Sequence, residues 1–179
     1  MSNKIVDSLA ESHRALGGLA DQLRRTVRPE DASRLFRQFA LALGGHLGMM
    51  NKVVYPSLQN QDPDQREAQA ALMLGHTRLA QSLADLLTLK PDSSAFADSL
   101  RDLLEASCET IAREEEVLFP MLGTLDDSQV LAMTLDADTY LAPLAEPEPD
   151  PADVKFSSDW LEEARLLLGT LPTATAPSA

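Results

Sequence analysis

The first half of the folded region is echoed by the second. Ser12-His13-Arg14-Ala15-Leu16 aligns with Gly75-His76-Thr77-Arg78-Leu79, and Val53-Val54-Tyr55-Pro56-Ser57-Leu58 aligns with Val117-Leu118-Phe119-Pro120-Met121-Leu122. The spacing agrees as well: 43 positions separate His13 from Pro56, and 44 separate His76 from Pro120. Each of these histidines stands three residues before a leucine on an apolar stripe, which places both on an inward helix face. Two helix hairpins related in this way predict an all-α, up-down-up-down four-helix bundle.

The stripes give the helices. The first runs from about Lys4 to Val27 with Ile5, Leu9, His13, Leu16, Ala20 and Leu23 in register. The second opens on Pro29-Glu30-Asp31, carries Phe36, Phe39, Leu43, His46, Met50 and Val53, and is expected to stop at Pro56. A polar turn through Asp62-Pro63 leads to the third, with Leu72, His76, Leu79, Leu83 and Leu86. Ser93 or Ser94 can cap the fourth, whose stripe is Phe96, Leu100, Leu103, Ser107, Thr110, Glu114 and Leu118, with its end expected before Pro120.

The expected organisation is a bundle over residues 1–125 and a short helical extension over 126–141, with its helix around Asp127 to Leu135. Beyond these come an acidic, proline-rich linker over 142–156, an additional C-terminal helix over 157–170 with Trp160 on its apolar face, and a disordered tail over 171–179.

Charge narrows the partners. The 28 acidic and 15 basic residues leave a net charge of -13, which repels phosphate backbones and anionic lipid, so neither nucleic acid nor a membrane is expected. Arg24, Arg25 and Arg28 read as complements to a helix C-terminus. Cys108 is the single cysteine and cannot close an internal disulfide; it reads as an inert buried thiol. No apolar run is long enough for a membrane span or signal segment, and the expected location is cytoplasmic.

The repeat also finds the polar residues that matter. Ten positions before each proline lie His46 and Thr110, and four positions after those come Met50 and Glu114. All three histidines therefore occupy core positions, in one layer with a carboxylate. A buried carboxylate without a partner costs several kcal/mol, roughly, unless a proton, a cation or a metal compensates it. Imidazoles and a carboxylate converging inside a bundle are donors that first-row metals accept, and two histidines with one carboxylate suit Fe(II).

These residues, with the run Arg113-Glu114-Glu115-Glu116-Val117-Leu118-Phe119-Pro120, give the chain a resemblance to hemerythrin-like proteins of the HHE cation-binding type over about residues 5 to 122. That family carries a histidine on helix one, His-x-x-x-Glu on helix two, a histidine on helix three, and His-x-x-x-Glu followed by Leu-Phe-Pro on helix four. By resemblance, His13, His46, His76 and Glu114 are the metal-ligand candidates, while Met50 replaces one expected glutamate and Thr110 one expected histidine. The resemblance implies that the first two histidines serve one iron, the other two a second, and that the glutamates bridge. With four of six ligands left, His13, His46 and Glu114 would make a mononuclear or weak iron site rather than a full di-iron pair; Met50 reads as core filler.

The leading expectation is a metal-binding or sensing protein, not an enzyme. Iron is the expected metal, with zinc or another transition metal as alternatives, a small diatomic molecule as a further ligand, and a homodimer as a possible assembly. A metal-free structural or protein-interaction bundle is the alternative, and a non-heme iron, oxygen-dependent enzyme the second. Glu115 and Glu116 read as solvated helix-face charges. Gly17, Gly18, Gly44, Gly45 and Gly48 flank His13 and His46; since a mid-helix glycine costs about 0.8 to 1 kcal/mol relative to alanine, they are expected to mark close helix contact, or else an opening for a ligand.

Overall fold

The computed structural model describes residues 3–58, 62–90 and 92–141. They are helical, with no strand among them. Helix α1 spans Lys4–Arg25 and α2 spans Pro29–Met49, continuing through a π-helical stretch, Met50–Val54, into a last turn, Tyr55–Ser57. Helices α3 (Pro63–Leu86) and α4 (Ser94–Leu122) form the second hairpin, and α5 spans Asp127–Leu141. The expected linker, Trp160 helix and tail, residues 142–179, lie outside the described residues.

Helices α1 and α2 pair, as do α3 and α4, while α1 also packs on α4 and α2 on α3. This closes the predicted up-down-up-down bundle. Its ends are set by local chemistry. Asn3 caps α1 by accepting from the Val6 N–H, and its amide donates to the Leu122 carbonyl at 2.9 Å, tying the start of α1 to the end of α4. Asp62 and Gln65 form a reciprocal capping box on α3. Between the two candidate serines for α4 it is Ser93 that caps, accepting from the Phe96 N–H at 3.1 Å.

The two prolines do not end their helices as expected. Pro120 lies inside α4, which runs on to Leu122. Within a turn of the C-terminus a proline forfeits few backbone bonds, and the Gly123 N–H still reaches the Phe119 carbonyl at 2.9 Å. Pro56 sits in the turn after the π-helical stretch, where the Tyr55 N–H bonds five residues back to Met50. That wider turn relaxes the contact a proline ring otherwise makes with the carbonyl four residues before it.

The core is two apolar clusters. One includes Leu16, Leu43, Leu47, Leu79, Leu83, Phe36, Phe39, Phe96 and Leu103. The other includes Ile5, Leu9, Met49, Met50, Leu72, Leu118 and Leu122, and takes in Met133 and Ala137 from α5. Helix α5 lies against α1, α2 and the π-helical stretch and continues six residues past the expected Leu135.

The glycines do not act alike. A Cβ on Gly48 would overlap the Tyr140 hydroxyl, so this glycine admits α5, whereas a Cβ on Gly17 or Gly18 would meet nothing within 4 Å. Close contact therefore explains Gly48 and not the Gly17-Gly18 pair. Cys108 is partly buried rather than enclosed, and a guanidinium nitrogen of Arg24 lies 3.5 Å from its sulfur.

Candidate metal centre

Each bundle helix brings one polar side chain to the boundary between the two clusters. On α1, His13 lies between Leu9 and Leu16; on α2, His46 between Leu43 and Met50; on α3, His76 between Leu72 and Leu79; on α4, Glu114 lies one turn before Leu118. The four are between 0% and 3% exposed. The helical period that buries the leucines therefore buries these side chains as well, at one level.

Glu114 is the hub. Its Oε2 lies 3.0 Å from His13 Nε2 and 3.1 Å from His46 Nε2, and its Oε1 lies 2.5 Å from His76 Nε2. All three rings thus present the same nitrogen to one carboxylate. Their Nδ1 atoms face outward, each to an oxygen: Glu115 Oε1 at 3.0 Å from His13, the Tyr55 hydroxyl at 3.2 Å from His76, and the Ser12 hydroxyl at 3.5 Å from His46. The repeat reappears in the aromatics. Phe119, of the second repeat, stacks on His13 of the first with ring centroids 5.6 Å apart, and Tyr55, of the first, leans on His76 of the second at 5.4 Å.

Electrostatics follow from that crowding. Burial works to raise the Glu114 carboxyl, but the charge of His46 and hydrogen bonds from all three imidazoles hold it well below the usual carboxylate range. Burial also opposes charge on His13, yet the hydrogen bond and charge of Glu114, followed by those of Glu115, keep that ring above its ordinary value. An ionised carboxylate can only accept, so with Glu114 and Glu115 both ionised the two ring nitrogens of His13 both donate, which favours the imidazolium form. Burial, then the negative charge of Glu114, pushes the Tyr55 phenol up.

A family profile, the hemerythrin HHE cation binding domain, matches residues 4–123. The chain belongs to the hemerythrin HHE cation-binding family. It has no match among curated proteins or solved structures. The matched region is the four-helix bundle, and α5 falls beyond it.

The donors of this hemerythrin domain fit one cation. Ligand atoms of His13, His46 and Glu114 all lie within 4.8 Å of one another, while His76 approaches the other carboxylate oxygen. The outer partners also fit. A metal on Nε2 needs the proton on Nδ1, and the Ser12 and Tyr55 hydroxyls can accept from Nδ1–H as readily as they donate to a bare Nδ1. Two of the ligands that the resemblance expects for a carboxylate-bridged pair are replaced. Met50, where the resemblance expects a glutamate, is fully buried in an apolar cluster, and Thr110 brings no imidazole.

Three residues of the centre carry little signal in the sequence. Glu115 is only half a solvated charge: its side chain is 48% exposed, yet it holds His13. Ser12 and Tyr55 show no more than a hydroxyl beside or upon an inward stripe, and Tyr55 has in addition its repeat equivalence to Phe119.

Proposed function

We propose that this hemerythrin domain binds a single transition-metal ion, with His13, His46 and Glu114 as the primary donors and His76 as a fourth, and that it serves as a binding or sensing module. The observation that carries the reading is the common orientation of the histidines: three Nε2 atoms turned to one buried carboxylate, each Nδ1 held from outside by an oxygen. Two imidazoles with one carboxylate favour iron(II) among abundant metals and leave coordination positions for a small molecule. Bound there, the ion would supply Lewis acidity and an open site for a diatomic ligand.

Elemental analysis of the purified protein for iron, zinc and copper tests this. About one equivalent is expected in the wild type and much less in His46→Ala. Near-zero values in both would overturn it.

A second reading, a metal-free interaction bundle, is favoured by one observation: every ring nitrogen of the three histidines has an oxygen partner without a cation. On that reading a chelator leaves the melting temperature unchanged. On the first, chelation lowers it, because a ligand bound only to the folded state stabilises it by mass action.

A further inference from the structure

Helix α4 supplies more than one carboxylate to this centre. Glu115 and Phe119 stand one turn apart on α4, and both touch His13 of α1: the carboxylate meets the Nδ1 edge at 3.0 Å, and the phenyl ring lies parallel to the imidazole with 10° between planes. One contact fixes the ring's rotation and the other its plane. Neither Ser12 nor Tyr55 offers His46 or His76 a charged partner, so His13 is distinguished from its neighbours by an anion behind it.

We propose that Glu115 is the positioning residue for His13: it accepts the Nδ1–H, keeps Nε2 turned inward so that its lone pair meets the metal once the proton there is released, and adds negative charge that strengthens this imidazole as a donor. The role rests on the metal-binding reading above. A carboxylate behind a metal-bound imidazole commonly sets affinity, and its loss typically costs about 10–100-fold. Glu115 would also complete the charge balance, since a divalent ion beside Glu114 alone leaves one positive charge in a site closed to water.

The test is titration of metal-free protein with cobalt(II) chloride, following the visible bands, for wild type, Glu115→Gln, Glu115→Ala and Glu116→Gln. The Gln variant keeps an acceptor without the charge, the Ala variant removes both, and Glu116 is an exposed neighbour whose neutralisation changes net charge equally. The expected order of weakening is Glu116→Gln, within about twofold of wild type, then Glu115→Gln, about tenfold, then Glu115→Ala, up to about 100-fold. Cobalt bands at saturation should shift in both Glu115 variants and not in Glu116→Gln, with urea midpoints confirming that all four proteins fold. If wild type binds cobalt and the Glu115 variants match Glu116→Gln in affinity and spectrum, the positioning role is wrong and metal binding stands. If wild type binds none, both fall.

Discussion

The Tyr55 hydroxyl lies 3.2 Å from Nδ1 of His76, and both residues are closed to water, at 4% and 0% exposure. Tyr55→Phe would keep the ring against the imidazole and strand that nitrogen. A buried polar atom left without a partner costs about 1–3 kcal/mol. Urea unfolding of the metal-free variant should show a loss of that size. An unchanged midpoint would mean that the tyrosine contributes packing alone.

Restoring the two depleted positions should raise the metal stoichiometry. In the double variant Met50→Glu/Thr110→His, each repeat regains the ligand that the family pattern expects, and elemental analysis after iron(II) loading should move from about one equivalent toward about two. A value that stayed at one would mean that the missing ligands are not what limits the site. Without metal the same variant should melt below the wild type, because the carboxylate introduced at position 50 would place a second anion in an apolar cluster.

Stability of the metal-free protein should depend on pH in both directions. The Glu114 carboxyl titrates lower in the folded state than its ordinary 4.5, so its contribution is full above that value and is lost as pH falls through the lowered one. His13 titrates above its ordinary 6.5, so its contribution is full below that value and is lost as pH rises through the raised one. Melting temperature should therefore be highest between roughly pH 4.5 and 6.5. His13→Gln should flatten the alkaline decline, and a wild-type curve that kept rising past neutrality would contradict the imidazolium assignment.

The contact of α5 with the bundle is also testable. The Tyr140 hydroxyl is buried with no hydrogen-bond partner among the described residues, and it occupies the space that a Gly48 side chain would fill. Tyr140→Phe should leave stability unchanged or raise it by about 1 kcal/mol. Gly48→Ala should displace the tyrosine, so that amide exchange quickens over residues 136–141 while the bundle keeps its protection. Equal exchange in wild type and Gly48→Ala would show that α5 docks elsewhere in solution.

The level of the polar layer is legible in the sequence because repetition fixes phase. Once His13 and His76 match, the prolines give His46 and Glu114, and helical periodicity puts all four inward. What stays hidden has physical causes too. The π-helical stretch adds a residue to one turn, yet the interval from His46 to Pro56 equals that from Thr110 to Pro120, so spacing carries no trace of it. A pattern of polar and apolar residues assigns Glu115 to water, and a side chain half in solvent and half on a buried ring satisfies both descriptions. Pro56 and Pro120 read as terminators, though a helix already near its end, or widened just before, can pass through one.

The division of the interior into two oily compartments has a mechanical consequence. They meet across a partition built from one side chain per helix, so no helix can slide or turn at mid-height without tearing its strut from the common carboxylate. Tightening that partition would bear on the packing of both compartments at once, and through Met133 and Ala137 on α5 as well.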